Sequence, residues 1–112
     1  MVEVIVTNEF SDWYRDLDDP AAEDVAASID LLGASGVALG FPRSSEVKGA
    51  SFALRELRIQ SNGRPLRVFY AFDPKRQAVL LIGGDKSGDG RFYERIVPTA
   101  ERIWKEYLNE DT

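Results

Sequence analysis

A chain of 112 residues with neither cysteine nor histidine has room for one hydrophobic core and one domain, residues 1–112. Its composition excludes disulfide frameworks, thiolate metal sites, cysteine nucleophiles and the usual imidazole base or zinc ligand. The net charge of −5 speaks at first against nucleic acid as a partner.

The distribution of that charge reverses the first impression. Residues 1–30 carry nine acids against Arg15 alone, whereas residues 43–76 carry eight bases against Glu46, Glu56 and Asp73. Association responds to the local potential within a Debye length of roughly 8–10 Å, which a whole-chain average hides. There is no cationic leader followed by an apolar stretch, and no long apolar run. The expectation is a cytoplasmic protein with no membrane partner.

In chain order, Val2–Val6 alternates around Glu3 and is β-branched, which predicts a short strand. Thr7 or Asn8 caps a helix whose Phe10, Trp13, Tyr14 and Leu17 form an apolar stripe. Asp19-Pro20 starts a second helix, with the carboxylate as cap and proline in the first turn, where no amide hydrogen is needed. Val25, Ile29 and Leu32 face inward from it, and Gly33 or Gly36 ends it. Gly36 to Gly49 reads as a loop, with Phe41 of Leu39-Gly40-Phe41-Pro42 anchoring it to the core.

Three strand-like runs follow: residues 54–59, 66–72 and 78–86, separated by turns at Asn62-Gly63 and Asp73-Pro74. Val79–Ile82 is apolar on both faces and suggests an interior strand, and Gly83-Gly84 allows a bend or a close approach. Pro98 argues against one continuous final helix, predicting a short turn at 92–97 and a new helix near Pro98. Ala100, Ile103, Trp104, Tyr107 and Leu108 supply its apolar stripe. The order β-α-α-β-β-β-α is that of an α+β domain, a small mostly antiparallel sheet packed against helices.

Through the three central strands and their exit run Arg55, Arg58, Arg64, Arg67, Lys86, Arg91 and Arg95. Cations gathered on a rigid sheet suit a polyanion. Asp85, Asp89 and Glu94 form a weak metal signal, since Lys86 and Arg91 would compete with a cation, and GGDKSGDG lacks the glycine spacing of a phosphate-binding P-loop. No metal or other cofactor is expected.

The motifs Leu39-Gly40-Phe41-Pro42, Glu56-Leu57-Arg58, Arg64 to Tyr70, Leu80 to Lys86, and Phe92-Tyr93 leading into Ile96-Val97-Pro98 and Ala100 occur in an order that resembles the RelE/ParE superfamily of type II toxins. They are most similar to the phage-derived HigB branch. The resemblance implies a ribosome-dependent messenger RNA endonuclease. It also implies a cognate antitoxin, HigA-like and of helix-turn-helix type, through which alone the toxin would meet operator DNA.

Cleavage by 2′-hydroxyl attack requires a proton removed, charge stabilised at phosphorus, and the 5′-oxygen protonated. Arg58 and Arg67 are candidates for a bidentate phosphate clamp. Lys86 is a candidate to hold the phosphate or polarise the 2′-hydroxyl, and Tyr93 to carry a proton. Lys48, Arg55, Arg91 and Arg95 are candidates to position RNA through its phosphates.

Each has a plainer alternative: Arg58 bridging Glu56, Arg67 pairing with Asp73, Lys86 as a solvated turn residue, Tyr93 as core. Arg55 shares a face with Leu57 and Ile59 and suits an edge position with its stem on apolar surface. Two rival functions stay open, a ParE-like gyrase inhibitor and a non-catalytic partner-binding module serving operator control.

Overall fold

The computed structural model describes residues 1–110. Its elements are β1 (Val4–Val6), α1 (Asn8–Arg15), α2 (Asp19–Ser35), a 3-10 turn (Gly36–Ala38), β2 (Ser44–Glu46), β3 (Arg55–Ser61), β4 (Arg64–Phe72), β5 (Ala78–Asp85) and α3 (Phe92–Glu110). The five strands form one sheet in the order β1-β5-β4-β3-β2. β1 runs parallel to β5, and every other neighbouring pair is antiparallel.

Period-two alternation sorts the strand residues into two apolar layers. Leu57, Ile59, Leu66, Val68, Tyr70, Ala78 and Leu80 pack toward α1 and α2, against Phe10, Val25 and Leu32. Leu54, Phe69, Ala71, Val79 and Leu81 pack toward α3, against Phe92, Ala100, Ile103 and Trp104. A bulge sets Phe69 opposite Ile82 and Tyr70 opposite Leu80. Leu81 is therefore the extra residue, and Leu81 and Ile82 both contribute to the α3 layer.

At Gly83 and Gly84 the two layers press directly on the backbone of β5. A Cβ on Gly83 would lie 2.3 Å from the Trp13 ring, and one on Gly84 would lie 2.7 Å from the Phe92 ring. The glycine pair thus lets α1 seat on one face of β5 and the start of α3 on the other. The tight turn between β3 and β4 places Asn62 and Gly63 both at positive φ (50° and 79°), as a two-residue hairpin requires. That turn fixes the register Ser61↔Arg64 through Arg55↔Tyr70.

The caps follow the expected chemistry with one shift. The Thr7 side chain accepts from the Phe10 amide at 3.2 Å, and its hydroxyl lies 2.9 Å from the carbonyls of both Leu80 and Leu81, tying α1 to β5. The α2 cap is Asp18, not Asp19: Asp18 Oδ1 accepts from the Ala21 amide at 3.0 Å, and Pro20 falls in the first turn.

Three further expectations are corrected. The segment 36–49 is not loop throughout, because Ser44–Glu46 pairs antiparallel with Arg55–Leu57 and extends the sheet. Phe41 does not anchor that segment, being 76 % exposed, while Leu39 (8 %) takes the buried place. The final helix is continuous from Phe92 through Pro98. Pro98 and Glu94 both sit on the exposed side, so the carbonyl that loses its amide partner is left to water. Buried Phe92 on one side and Ala100, Ile103 and Trp104 on the other hold both halves to the same layer. Among the described residues no helix is long and apolar enough to cross a membrane.

Candidate functional site

The α3-facing side of the sheet turns from apolar to charged over the first half of β3 and the start of β4. There Arg58 stands opposite Arg67, which stands opposite Gly84. One row along, Ser45, Glu56, Phe69 and Ile82 are in register. Parity therefore puts Glu56, Arg58 and Arg67 on one face, and the first turn of α3 lays Tyr93 over it.

Glu56 is the centre of this arrangement. Its Oε1 accepts a 2.7 Å hydrogen bond from the Tyr93 hydroxyl, and its Oε2 accepts one of 3.0 Å from Ser45 Oγ. Arg67 Nε lies 3.5 Å from Oε1, and Arg58 Nη1 lies 3.8 Å from Oε2. Arg67 also donates through Nη1 to the Leu66 carbonyl at 3.0 Å. Its buried Nε makes no hydrogen bond among the described residues, so the contact with Glu56 is held by charge more than by alignment.

Burial divides the roles. The side chains of Glu56 and Arg67 are 6 % and 5 % exposed, whereas that of Arg58 is 32 % exposed. Desolvating two charges is costly, and only their mutual attraction and the added hydrogen bonds offset it. Lys86, reached through the turn after β5, sets its ammonium 5.3 Å from the centroid of the Tyr93 ring; its amide donates to the Pro65 carbonyl at 2.9 Å. Burial, and next the hydrogen bond to Glu56, push the Tyr93 phenol above its ordinary range, with Arg67 opposing them. A phenol so placed stays protonated at neutral pH and acts as a donor.

All four candidate catalytic residues, Arg58, Arg67, Lys86 and Tyr93, thus meet in one cluster. The bridge from Arg58 to Glu56 is present. Asp73 is not the partner of Arg67: it is occupied by the Tyr107 hydroxyl at 2.8 Å and by the amides of Lys75 and Gln77. Glu56 was not among the candidate residues. Its signal was available, the single acid of its strand, alternating with Arg58.

The four candidate RNA-positioning residues scatter. Arg55 lies on the opposite face, where Nε is 3.2 Å from Ser44 Oγ and 3.4 Å from the Tyr70 hydroxyl. Lys48 is exposed on a loop docked two helical turns further along α3, where the Ser51 amide donates to Glu101 and Phe52 stacks on Trp104. Arg91 and Arg95 are exposed at the start of α3, with Arg95 ion-paired to Asp89. Arg95 also lines a groove against β5 with Ile82, Gly84, Phe92 and Ile96. Asp85, at that exit, is held below the usual carboxylate range by the Ser87 hydroxyl and amide.

Residues 12–105 match the family described as phage-derived protein Gp49-like. The chain is 37 % identical over 107 residues to the candidate toxin HigB3 of Mycobacterium tuberculosis H37Rv, spanning 94 % of this chain and 92 % of that protein. It is 38 % identical over 107 residues to the candidate toxin HigB2 of the same organism, spanning 91 % of this chain and 53 % of the relative. Among solved structures, the fold matches the E. coli toxin RelE, a double arginine-to-alanine mutant in the free state. That match has a TM-score of 0.59 at 12 % identity, over 85 % of this chain and 94 % of the other. The chain belongs to the Gp49-like family of phage-derived proteins, is HigB-like in sequence, and has the fold of RelE.

Proposed function

We propose that this toxin is a metal-independent endoribonuclease that cuts messenger RNA in the ribosomal A site by 2′-hydroxyl attack, and that a cognate HigA-like antitoxin neutralises it. The observation that carries the reading is the convergence of Arg58, Arg67 and Tyr93 on the Glu56 carboxylate, with the Lys86 ammonium over the Tyr93 ring.

In this mechanism the accessible cations, Arg58 and Lys86, meet the scissile phosphate and stabilise the charge that develops on it. Tyr93, held protonated, gives its proton to the departing 5′-oxygen. Glu56 takes up the proton lost by the 2′-hydroxyl and returns it to the Tyr93 phenolate through the hydrogen bond already in place. Arg67 orients Glu56 from beneath. A positioned acid or base supplies about 10²–10⁴-fold, so the ribosome's alignment of the RNA for in-line attack supplies much of the remainder.

One observation favours a second reading. Glu56 and Arg67 are both buried and pair with each other, as a purely structural ion pair would be in a non-catalytic module that only binds its antitoxin. Mapping of RNA 5′ ends in cells expressing the wild type or Lys86→Ala separates the two. New message ends with the wild type alone support the nuclease. Growth arrest with intact messages and damaged DNA would instead indicate gyrase inhibition, and no arrest at all a binding module.

A further inference from the structure

Phe41 has no part in the cluster as described, yet it is held beside it. Five large hydrophobic residues are exposed among those described, and Phe41, at 76 %, is the only aromatic one. Its loop is not loose. The Gly40 carbonyl accepts from the amides of both Arg43 and Ser44 at 3.1 Å, and the Arg58 amide donates to the Arg43 carbonyl at 2.9 Å. Buried Leu39 and Ser44 flank the tip on either side. One face of the ring is occupied by the Arg58 guanidinium, 5.4 Å from the ring centroid, a cation–π contact. The exposure of the residue leaves the rest of the ring to solvent.

A bare ring that shares its guanidinium with the phosphate-facing cluster is a stacking platform in the wrong place for a core residue and the right place for a splayed nucleotide. Bases of single-stranded RNA stack on such rings, and a neighbouring arginine adds to the attraction. We infer that Phe41 and Arg58 form a nucleobase subsite that takes an unpaired base, purines more strongly than pyrimidines, from the RNA whose phosphate lies at the cluster. The inference rests on the ribonuclease reading above and adds to it a residue that positions substrate without touching the reacting atoms. The larger stacking surface of a purine gives the subsite its preference.

Two measurements test it independently. In the first, a Phe41→Trp variant is titrated with short unstructured oligoribonucleotides, using the wild type to subtract the signals of Trp13 and Trp104. Quenching is expected with oligo(A), weaker quenching with oligo(U), and none with an abasic oligomer of equal charge. Equal responses to all three, or no response, would overturn the subsite.

In the second, steady-state cleavage of a message on programmed ribosomes is followed. Phe41→Leu is expected to raise KM about tenfold with kcat within about twofold, as loss of stacking in ground and transition states alike requires. Phe41→Tyr restores KM, and the melting temperature of both variants matches the wild type. Wild-type cleavage with an unchanged Phe41→Leu variant would sink the subsite and leave the nuclease standing. Base-dependent quenching with no cleavage by the wild type would sink the nuclease and leave the subsite standing.

Discussion

Replacing Arg67 with alanine removes the cation buried beneath Glu56. The pair is 3.5 Å apart with side chains 5 % and 6 % exposed, and truncating one partner of a buried pair costs about 3–5 kcal/mol because it leaves a charge uncompensated. Glu56 would keep its hydrogen bonds from Tyr93 and Ser45 and the 3.8 Å contact with Arg58, so the lower end, about 3 kcal/mol, is expected. At about 4 °C per kcal/mol for a chain of this size, the melting temperature should fall by about 12 °C.

Urea unfolding monitored by circular dichroism measures the loss directly. A double variant, Arg67→Met with Glu56→Gln, should recover much of it, since removing both charges removes the desolvation cost along with the attraction. An Arg67→Ala protein within about 0.5 kcal/mol of wild type, the range of an ordinary surface substitution, would refute the buried hub. The same reasoning makes Arg67→Ala a poor probe of catalysis, because lost activity and lost stability would arrive together.

Other outcomes follow from the same geometry. Gly83→Ala puts a methyl 2.3 Å from the Trp13 ring and should destabilise the fold by about 1–3 kcal/mol, with Trp13→Ala in the same chain relieving the clash; thermal melts of the single and double variants check this. The Tyr93 phenol titrates above its ordinary range when folded, so its contribution to stability is intact below the unfolded value near pH ~10 and is lost as pH rises through the folded one. Tyr93→Phe should therefore flatten the alkaline fall of the urea midpoint above pH ~10, and an unchanged slope would count against the burial of that hydroxyl.

Much of the architecture was written in short-range chemistry. Thr7 and the Asp18–Pro20 segment announce helix starts, and Asn62-Gly63 fixes a hairpin whose register alone sets Arg58 opposite Arg67. Parity likewise separates Arg55 from Arg58, since residues three apart on a strand face opposite ways. β2 was illegible because Ser44–Glu46 has no apolar alternation of its own and is held to β3 by its backbone ladder and by polar contacts of Ser44 and Ser45. Pro98 misled because its local rule is strong, while the packing of Phe92 and Trp104 on one layer is stronger.

Phe41 was misplaced for a related reason. An aromatic beside proline reads as an anchor, and only the fold shows that Leu39 fills that place. The meeting of Lys86 with Tyr93 depends on how the chain leaves β5 and enters α3, which no pattern within either segment encodes. Glu56 was visible but outnumbered, since attention to clustered cations obscures the one anion that organises them.

If the Glu56 cluster cuts RNA, Lys86 is its most useful handle. It is partly exposed and outside the buried ion pair, so Lys86→Ala should fold like the wild type. Primer extension on a defined message, with and without translating ribosomes, is the direct measurement. Discrete breaks are expected that require ribosomes and fall about 10²–10³-fold with Lys86→Ala at unchanged melting temperature. Message left whole by folded wild-type protein, or breaks undiminished in the variant, would contradict the proposed mechanism.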